Sequence, residues 1–520
     1  MIYQNNSLPT ILNMKLIIKI KNVYVLSLVV ISLPIFIFFI TWLKIYIGII
    51  ATVVLFFGLK SIYKEFNDDE AMELPLLAVI ISFVLIGLWI AYSGIGGYFF
   101  QTGDNHWRNA ILRDLITFSW PVKYSDNDTA LVYYLMYWLI PAAIGKVAGW
   151  QIANFALYLY TFIVVFIIFL QIAKYLDVQR SWELIAIAII LVFWSGENFI
   201  GLVTSNLLGI CIHPIGFGSS EGWLDYIRNG YDCSYLYRSN IDALCQVYNQ
   251  TVIPWLIVTL VLNVPKVRVM GFLGLCAVCY GPIPFIGLLP ILFVLCLMEI
   301  KREHYQILSI PFLKQLVSIP NMCAVMTILP IMWLFYKSNI AFSESNQGSY
   351  ITGFVPLEAY DLARWGTLLL FWILEFGLYS IILWNKNKKN PLYWCVIMTL
   401  IIVPFFKIGT IRDFCMNASL PCLFILMILV MDFIIKEYKV KEGMTRWEVM
   451  RYDFLVFLLI LSMTTLIFDG VSKVYYMQAN HVFPYIADDI VTLNGKDVDE
   501  NKNFLVPDWE SSAFFKYLAK

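Results

Sequence analysis

A polar stretch that starts at Asp104 carries the side chains best suited to proton transfer and anion binding. Asp104, His106 and Arg108 stand at alternate positions in Gly-Asp-Asn-His-Trp-Arg-Asn. A carboxylate can accept a proton during a reaction, and a nearby cation can stabilise developing negative charge. A short acceptor such as Asp104 is also typical of the N-cap of a helix. Capping and catalysis are compatible, so both interpretations stay open.

A second group of charged residues stands between two apolar runs, where Lys407 and Arg412 lie in Phe-Lys-Ile-Gly-Thr-Ile-Arg-Asp. A cation at a membrane edge often serves as an interfacial anchor, with its charged end in water. The planar guanidinium of Arg412 also suits the oxygens of a lipid phosphate. The sequence leaves these two roles open.

Metal and nucleotide chemistry receive little support. The four histidines are scattered, and no His or Cys spacing is typical of a zinc site. Asp126 and Asp128 are acidic, but Asp-Asn-Asp in a polar segment is more typical of a turn than of a cation site. No Gly-rich phosphate loop occurs, so nucleotide binding is not expected. The cofactor stays unknown, with a divalent cation as one possibility.

The elements that position these residues are predicted to be membrane helices. Of the 520 residues, 60% are hydrophobic and 14% are charged, against about 45–50% and about 25% in soluble domains. Runs of about 20 apolar residues, the length that crosses a bilayer, recur along the chain. We therefore predict an all-α polytopic membrane bundle of about 13 spans. They lie near 24–42, 44–62, 77–95, 152–173, 182–203, 251–265, 269–282, 284–300, 320–337, 366–384, 391–406, 417–435 and 453–470.

The distribution of charge predicts the orientation of these spans. Short basic turns alternate with long loops of mixed charge, as the positive-inside rule expects of cytoplasmic and opposite faces. The long loops, near 96–151, 204–250, 338–365 and 407–416, and the tail are predicted to be extracytoplasmic. Residues 1–470 form the predicted transmembrane domain, and residues 471–520 a small extracytoplasmic segment. The expected location is the cell membrane.

The first long loop is predicted to carry two interfacial helices. After Asp104, apolar residues recur at helical spacing for about 12 residues, too few to span a bilayer. Asp114, on that helix, is expected to be a surface partner of a nearby base. A second helix is predicted between Tyr133 and Gly149, where tyrosines and a tryptophan suit an aromatic belt at the membrane surface.

The order of these features resembles the first extracytoplasmic loop of GT-C fold glycosyltransferases. An acidic residue follows an early span, then come a short amphipathic helix ending at Trp120-Pro121, a linker, an aromatic helix ending in Gly-Lys and Gly, and a full span. Protein O-mannosyltransferases and lipid A aminoarabinose transferases show this pattern. The close resemblance covers residues 96–175. Two helices precede the loop instead of one, and the usual Pro-Pro before the aromatic helix is absent, which leaves the subfamily open.

The resemblance implies a GT-C-like fold and a glycosyltransferase. A sugar would pass from a polyprenyl-phosphate donor to a glycan, lipid or protein acceptor on the extracytoplasmic face. The family's catalytic base falls on Asp104, and the expected substrate-binding residues are His106, Arg108, Arg238, Asn240, Gln250, Lys407 and Arg412. The residues near 238–250 could equally be helix caps. The expected partners include membrane lipid but, at zero net charge, no nucleic acid.

Two other functions remain as alternatives. A polysaccharide polymerase or ligase would use paired arginines in a large loop, for which Arg228 and Arg238 are the candidates. A transporter or lipid flippase would place charged residues inside the spans. Asp432 and Glu299 are the expected acidic candidates, and both fall near predicted cytoplasmic ends.

Overall fold

A computed structural model of the chain describes residues 14–67, 69–101, 103–200, 235–307, 309–339, 353–355, 362–408, 413–440, 445–479, 481, 491–497, 501 and 503–520. The described chain is mostly helical. Its α-helices are α1 Ile20–Trp42, α2 Ile45–Tyr63, α3 Leu76–Tyr92, α4 Gly103–Thr117, α5 Met136–Ala148, α6 Trp150–Tyr175, α7 Ser181–Phe193, α8 Asn240–Asn263, α9 Val267–Val278, α10 Pro282–Arg302, α11 Ile310–Leu316, α12 Ile319–Lys337, α13 Leu362–Trp372, α14 Leu378–Asn387, α15 Pro391–Ile402, α16 Asp413–Ala418, α17 Leu420–Val440, α18 Arg446–Ser462 and α19 Thr464–Ala479.

The helices form where the sequence is apolar and begin where capping residues stand. Ser239, Asn390 and Thr445 each accept a hydrogen bond from a backbone N–H in the first turn of α8, α15 and α18, which satisfies a group left without a partner inside the helix. Proline occupies the first turn of α10, α12 and α15. This position tolerates proline because its missing N–H would be unpaired there anyway.

Within the described residues, nine helices are long and apolar enough to cross a membrane. This finding supports an all-α polytopic membrane protein. Each predicted apolar run overlaps a helix, but several of these helices have only 10–17 residues, so the number of crossings stays a prediction. The bounds also differ, since α8 begins at Asn240 instead of near residue 251 and α19 extends to Ala479.

The core of the bundle surrounds α8, whose span segment is 94% buried, whereas α2 is only 28% buried and lies at the periphery. α8 packs against α6, α9, α10 and α17, and α12 packs against α2 and α9. Some polar groups within this core pair with one another. The Gln171 side chain on α6, for example, donates to Ser27 Oγ on α1 at 2.6 Å.

Short strands join loops that are distant in the chain. Before α1, β1 Lys15–Lys19 pairs antiparallel with β2 Ala71–Pro75. After it, β3 Lys123–Tyr124, β4 Thr129–Leu131 and β7 Leu505–Pro507 form one sheet. A further pair joins β5 Gly353–Phe354 to β6 Phe406–Lys407. Because β7 belongs to the C-terminal tail, the tail is fixed to the loop between α4 and α5.

Acidic residues are buried within candidate spans, contrary to expectation. Glu197 and Glu375 are 1% and 5% exposed and fall in the apolar segments 181–200 and 364–387. Glu375 lies in a π-helical turn, Ile373–Gly377, between α13 and α14. The prediction that Asp432 and Glu299 are the acidic candidates of the spans was therefore wrong. Local hydropathy averaged over a long apolar run concealed these single carboxylates.

Candidate functional site

Helix α4 positions Asp104 and packs against α5. It has 15 residues and begins at Gly103, so Asp104 lies in its first turn rather than at the N-cap. Asp114 is fully buried, and its carboxylate accepts from Tyr124 Oη at 2.8 Å, Thr492 Oγ1 at 2.6 Å and Leu493 N at 2.9 Å. The expectation of a surface partner was wrong, because Asp114 holds the C-terminal tail.

A cavity of about 450 Å³ opens beside Asp104. Its walls come from the segments near 96–151, 204–250 and 407–416 and from the tail, which the sequence predicted to share one face. The first turns of α10 and α16 complete them. The lining residues are Asp104, Trp107, Arg108, Ile111, Tyr133, Tyr134, Arg238, Gln246, Val247, Gln250, Ile283, Asp413, Met416, Asn417, Asn501, Asn503 and Phe504. The volume falls within the range of small-molecule sites, about 300–1,000 Å³.

Helix α4 contributes one solvent-accessible carboxylate to the cavity wall, that of Asp104. Its side chain is 49% exposed and stands 3.5 Å from Nη2 of Arg108, which is only 8% exposed. The Arg108 Nε donates to Asn249 Oδ1 at 3.5 Å, and the guanidinium lies 6.0 Å from the ring centre of Tyr248. Contacts with Asn249 and Tyr248 thus hold Arg108 in place, and the neighbouring Asp104 carboxylate remains accessible to a ligand.

Arg238 supplies a second cation to the cavity. It pairs with Asp242 one helical turn along, and it donates to Gln246 Oε1 at 2.8 Å. Burial opposes its charge, but Asp242, Asp104 and Asp413 outweigh burial and raise the pKa of the Arg238 guanidinium. Its Nε is buried without a hydrogen-bond partner in the structure. A ligand acceptor in the cavity would satisfy that donor.

Two amide side chains of the cavity wall have their amino groups hydrogen-bonded within the protein but leave their oxygen atoms unpaired. Gln250 donates to Tyr134 Oη at 3.3 Å, and Asn417 donates to the Asp413 carbonyl at 3.0 Å. The opposite atoms, Gln250 Oε1 and Asn417 Oδ1, are buried without hydrogen-bond partners. Leaving such groups unsatisfied costs about 1–3 kcal/mol each. The wall is therefore prepared to accept hydrogen bonds from hydroxyl groups.

Aromatic rings form another part of the wall. Tyr133 lies against Tyr134, with ring centres 3.7 Å apart, and against Phe504 at 4.9 Å. Phe504 is also stacked with Trp107, at 5.9 Å and 26°. Flat apolar faces beside polar acceptors suit a ligand that combines C–H faces with hydroxyl groups.

The structure brings together four of the predicted site residues, Asp104, Arg108, Arg238 and Gln250. Three others lie elsewhere, and Arg412 falls outside the described residues. His106 is exposed and faces Trp107 outside the cavity lining, and Lys407 belongs to β6. Asn240 is buried, where its amide donates to the Leu191 carbonyl at 2.7 Å. Asn240 stabilises the junction of α7 and α8 and does not line the polar cavity, and its assignment to substrate binding stays a prediction.

Other lining residues were not predicted as site residues. Asp413 stands at the end of an apolar run, and this position was the available signal. Gln246 belongs to the polar stretch near 238–250, for which sugar binding and helix capping were both left open. Tyr133 and Tyr134 were interpreted as a membrane-surface belt because their types fit it. Asn501 and Phe504 carried no local signal, since only long-range packing brings the tail to α4.

A second cavity, of about 640 Å³, is an apolar groove between α3, α7 and α19. Its lining includes Leu88 and Tyr92 on α3, Phe193 on α7, and Gly470 and Val474 on α19. Several lining side chains, among them Leu88 at 64% and Val474 at 41%, are exposed. In a bilayer such a surface faces hydrocarbon.

A buried chain of polar contacts links the groove to the polar cavity. Tyr92 Oη donates to Asp469 at 2.5 Å, and Asp469 pairs with Lys473 at 2.7 Å. Lys473 contacts Cys245 Sγ at 3.3 Å, and the Cys245 carbonyl accepts from Asn105 at 3.0 Å. Asn105 is the neighbour of Asp104, so these contacts connect the groove to the helix that lines the polar cavity.

Metal ligands are sparse in the part of the chain that the structure describes. No group of three or more His, Cys, Asp or Glu residues there could hold a metal ion. Asp126 and Asp128 lie in the turn between β3 and β4, with Asp128 in the left-handed region at φ 49°. The segment is a turn, as its composition indicated.

Comparisons with family models, curated proteins and solved structures found no match to this chain.

Proposed function

We propose that the protein is a membrane glycosyltransferase, GT-C-like, that takes a sugar from a polyprenyl-phosphate donor. The acceptor, a glycan, lipid or protein, would react on the extracytoplasmic face. The observation that carries the proposal is the polar cavity, where an accessible carboxylate, two buried arginines and unpaired amide oxygens meet. These are the groups that a sugar phosphate and an attacking hydroxyl require.

The roles follow from the chemistry of each group. Asp104 is the general base that accepts the proton of the acceptor hydroxyl. Arg108 and Arg238 stabilise the negative charge that develops on the leaving polyprenyl phosphate. Gln250 and Asn417 accept hydrogen bonds from sugar hydroxyls through Oε1 and Oδ1, which have no partner within the protein.

The apolar groove supports a lipid-linked donor. Polyprenyl chains are hydrocarbon and gain free energy on burial against apolar surface, about 25 cal/mol per Å². The groove between α3, α7 and α19 offers that surface close to the cavity, separated from it by the Tyr92–Asp469–Lys473 contacts. A soluble nucleotide-sugar donor would have no use for it.

The proposal is tested with purified protein in lipid nanodiscs and a panel of polyprenyl-phosphate sugars, namely glucose, galactose, mannose and arabinose. Transfer from at least one donor to endogenous glycan, lipid or protein extracted from the same membranes is expected. Saturable thermal stabilisation by the same donor should accompany it, since a ligand that binds the folded state raises stability. Absence of both transfer and stabilisation across the panel would overturn the proposal.

A transporter or flippase is the second candidate, and the buried carboxylates Glu197 and Glu375 favour it. Ionisable side chains within membrane spans are costly and commonly mark substrate or proton pathways. Glu197 accepts from Tyr379 Oη at 2.8 Å, which stabilises the site without any ligand. Movement of an intact labelled lipid-linked sugar across proteoliposomes, blocked by Glu197→Gln and unaffected by Asp104→Asn, would select this candidate.

A further inference from the structure

The C-terminal tail reaches back across the molecule and closes one wall of the polar cavity. Asn501 and Phe504 line the cavity beside residues of α4, almost 400 positions earlier in the chain. Nothing in the proposed chemistry requires the tail, because the carboxylate and the arginines come from other segments. Its presence therefore calls for a role of its own.

The Asn501 side chain is buried with only part of its amide hydrogen-bonded, which is unusual for a polar residue. It is 2% exposed, and its Nδ2 donates to the Asp497 carbonyl at 2.8 Å. Its Oδ1 is buried without a hydrogen-bond partner. Because the amino group is already engaged, the oxygen is the side of the amide left for a ligand. A ligand group that donates a hydrogen bond would satisfy it.

The main-chain carbonyl of Asn501 is hydrogen-bonded to residues of the tail that follow it. The Asn501 carbonyl accepts from Phe504 N at 2.9 Å and Leu505 N at 3.0 Å, and β7 follows directly. Asn339 donates to the Val132 and Asn503 carbonyls at 2.9 and 3.0 Å. Such a frame holds the Asn501 oxygen at a defined place, as a specificity site requires.

Phe504 completes the same wall. Its ring lies against Trp107 and Tyr133, and Trp107 is next to Arg108 on α4. The tail thus presents one acceptor oxygen and one aromatic face within reach of the proposed phosphate site. That combination suits the hydroxyl edge and the C–H face of a pyranose ring.

We propose that Asn501 is a specificity-determining residue that accepts a hydrogen bond from one hydroxyl group of the donor sugar, with Phe504 packing against its ring. The inference rests on the proposed glycosyltransferase function. It makes the tail part of the substrate site rather than a separate segment.

The test uses the full-length protein and the donor that the wild type transfers from the panel above. Asn501→Ala removes the acceptor, Asn501→Asp keeps an acceptor oxygen, and Glu510→Gln changes an exposed tail residue as the control. We expect Asn501→Ala to raise the donor KM about tenfold, the scale of one lost hydrogen bond to a ligand. Asn501→Asp should recover part of that loss, and Glu510→Gln should match the wild type.

Deoxy donors give a second measurement. One deoxy analogue should bind the wild type about tenfold more weakly than the parent sugar, and Asn501→Ala should no longer distinguish the two. An Asn501→Ala protein that folds, transfers sugar with an unchanged donor KM and still distinguishes every deoxy donor would overturn the role of Asn501 while leaving the proposed function intact. A wild type that neither binds nor transfers any donor would overturn both.

Discussion

At the scale of single residues, the side chains of the polar cavity divide into those that hold the site and those left open to a ligand. Arg108 and Arg238 are buried and braced by Asn249, Asp242 and neighbouring groups. Asp104 is half exposed. This division matches the needs of a transferase, in which cations are preorganised and the base must reach a substrate proton.

The first prediction concerns Arg238. Arg238→Lys keeps the positive charge beside Asp242 but removes the unpaired Nε, and lysine does not reproduce a planar guanidinium. Because a charge-assisted hydrogen bond contributes about 1.5–3 kcal/mol, the variant should bind the donor about tenfold more weakly or worse, measured by thermal stabilisation against donor concentration. Arg451→Lys, on α18, serves as the control. Equal donor affinity in Arg238→Lys and wild type would remove Arg238 from phosphate binding.

The sequence predicted some of these site residues and not others. Arg238 and Gln250 stand before an apolar run, and their polarity at that place indicated the site. Asn240 also stands before that apolar run and, like Gln250, has an amide side chain, yet its amide contacts α7. One helical residue differs from the next by about 100° around the axis, and the packing of α7 and α17 decides which of them reaches the cavity.

At the scale of elements, the helices follow from the apolar runs, whereas the loops follow from contacts across the chain. α1, α6 and α12 begin and end within a few residues of their predicted bounds. The extended α8 and the docked tail were not predicted. A strand as short as β7 has no periodicity of its own, and it forms because β4 is there to pair with it.

The second prediction concerns the clamp that attaches the tail to α4. Asp114→Ala leaves the buried donors from Tyr124, Thr492 and Leu493 without their acceptor, at about 1–3 kcal/mol for each unsatisfied group. Hydrogen exchange in residues 491–497 should rise strongly, and sugar transfer should fall with it. The exposed Glu510→Ala should change neither. Tail exchange that stays at the wild-type rate in Asp114→Ala would show that the clamp is not what holds the tail.

At the scale of the whole molecule, the account depends on one face of the bundle carrying the chemistry. Residues from α4, the loop between α4 and α5, the first half of α8, α16 and the tail meet at the polar cavity. The sequence assigned these segments to the extracytoplasmic side from charge alone. Their convergence shows that these segments share one end of the bundle, and the side of the membrane that this end faces stays a prediction.

The third prediction tests this orientation directly. Asp126 is exposed in the turn between β3 and β4, and Lys388 is exposed after α14. Single cysteines at these positions are probed with an impermeant thiol reagent in intact cells, with the unmodified protein as background. Position 126 should react and position 388 should react only after the membrane is permeabilised. Labelling of position 388 in intact cells would reverse the assignment.

The most direct measurement of the central claim compares wild type with Asp104→Asn. The amide keeps the size of the side chain at the start of α4, so folding should be preserved, and Asp126→Asn is the matched control on the same loop. General-base catalysis contributes about 10²–10⁴-fold in rate. Sugar transfer from a polyprenyl-phosphate donor, in membranes containing equal amounts of each protein, should therefore fall by that factor in Asp104→Asn alone. Turnover within a few-fold of wild type would contradict the account.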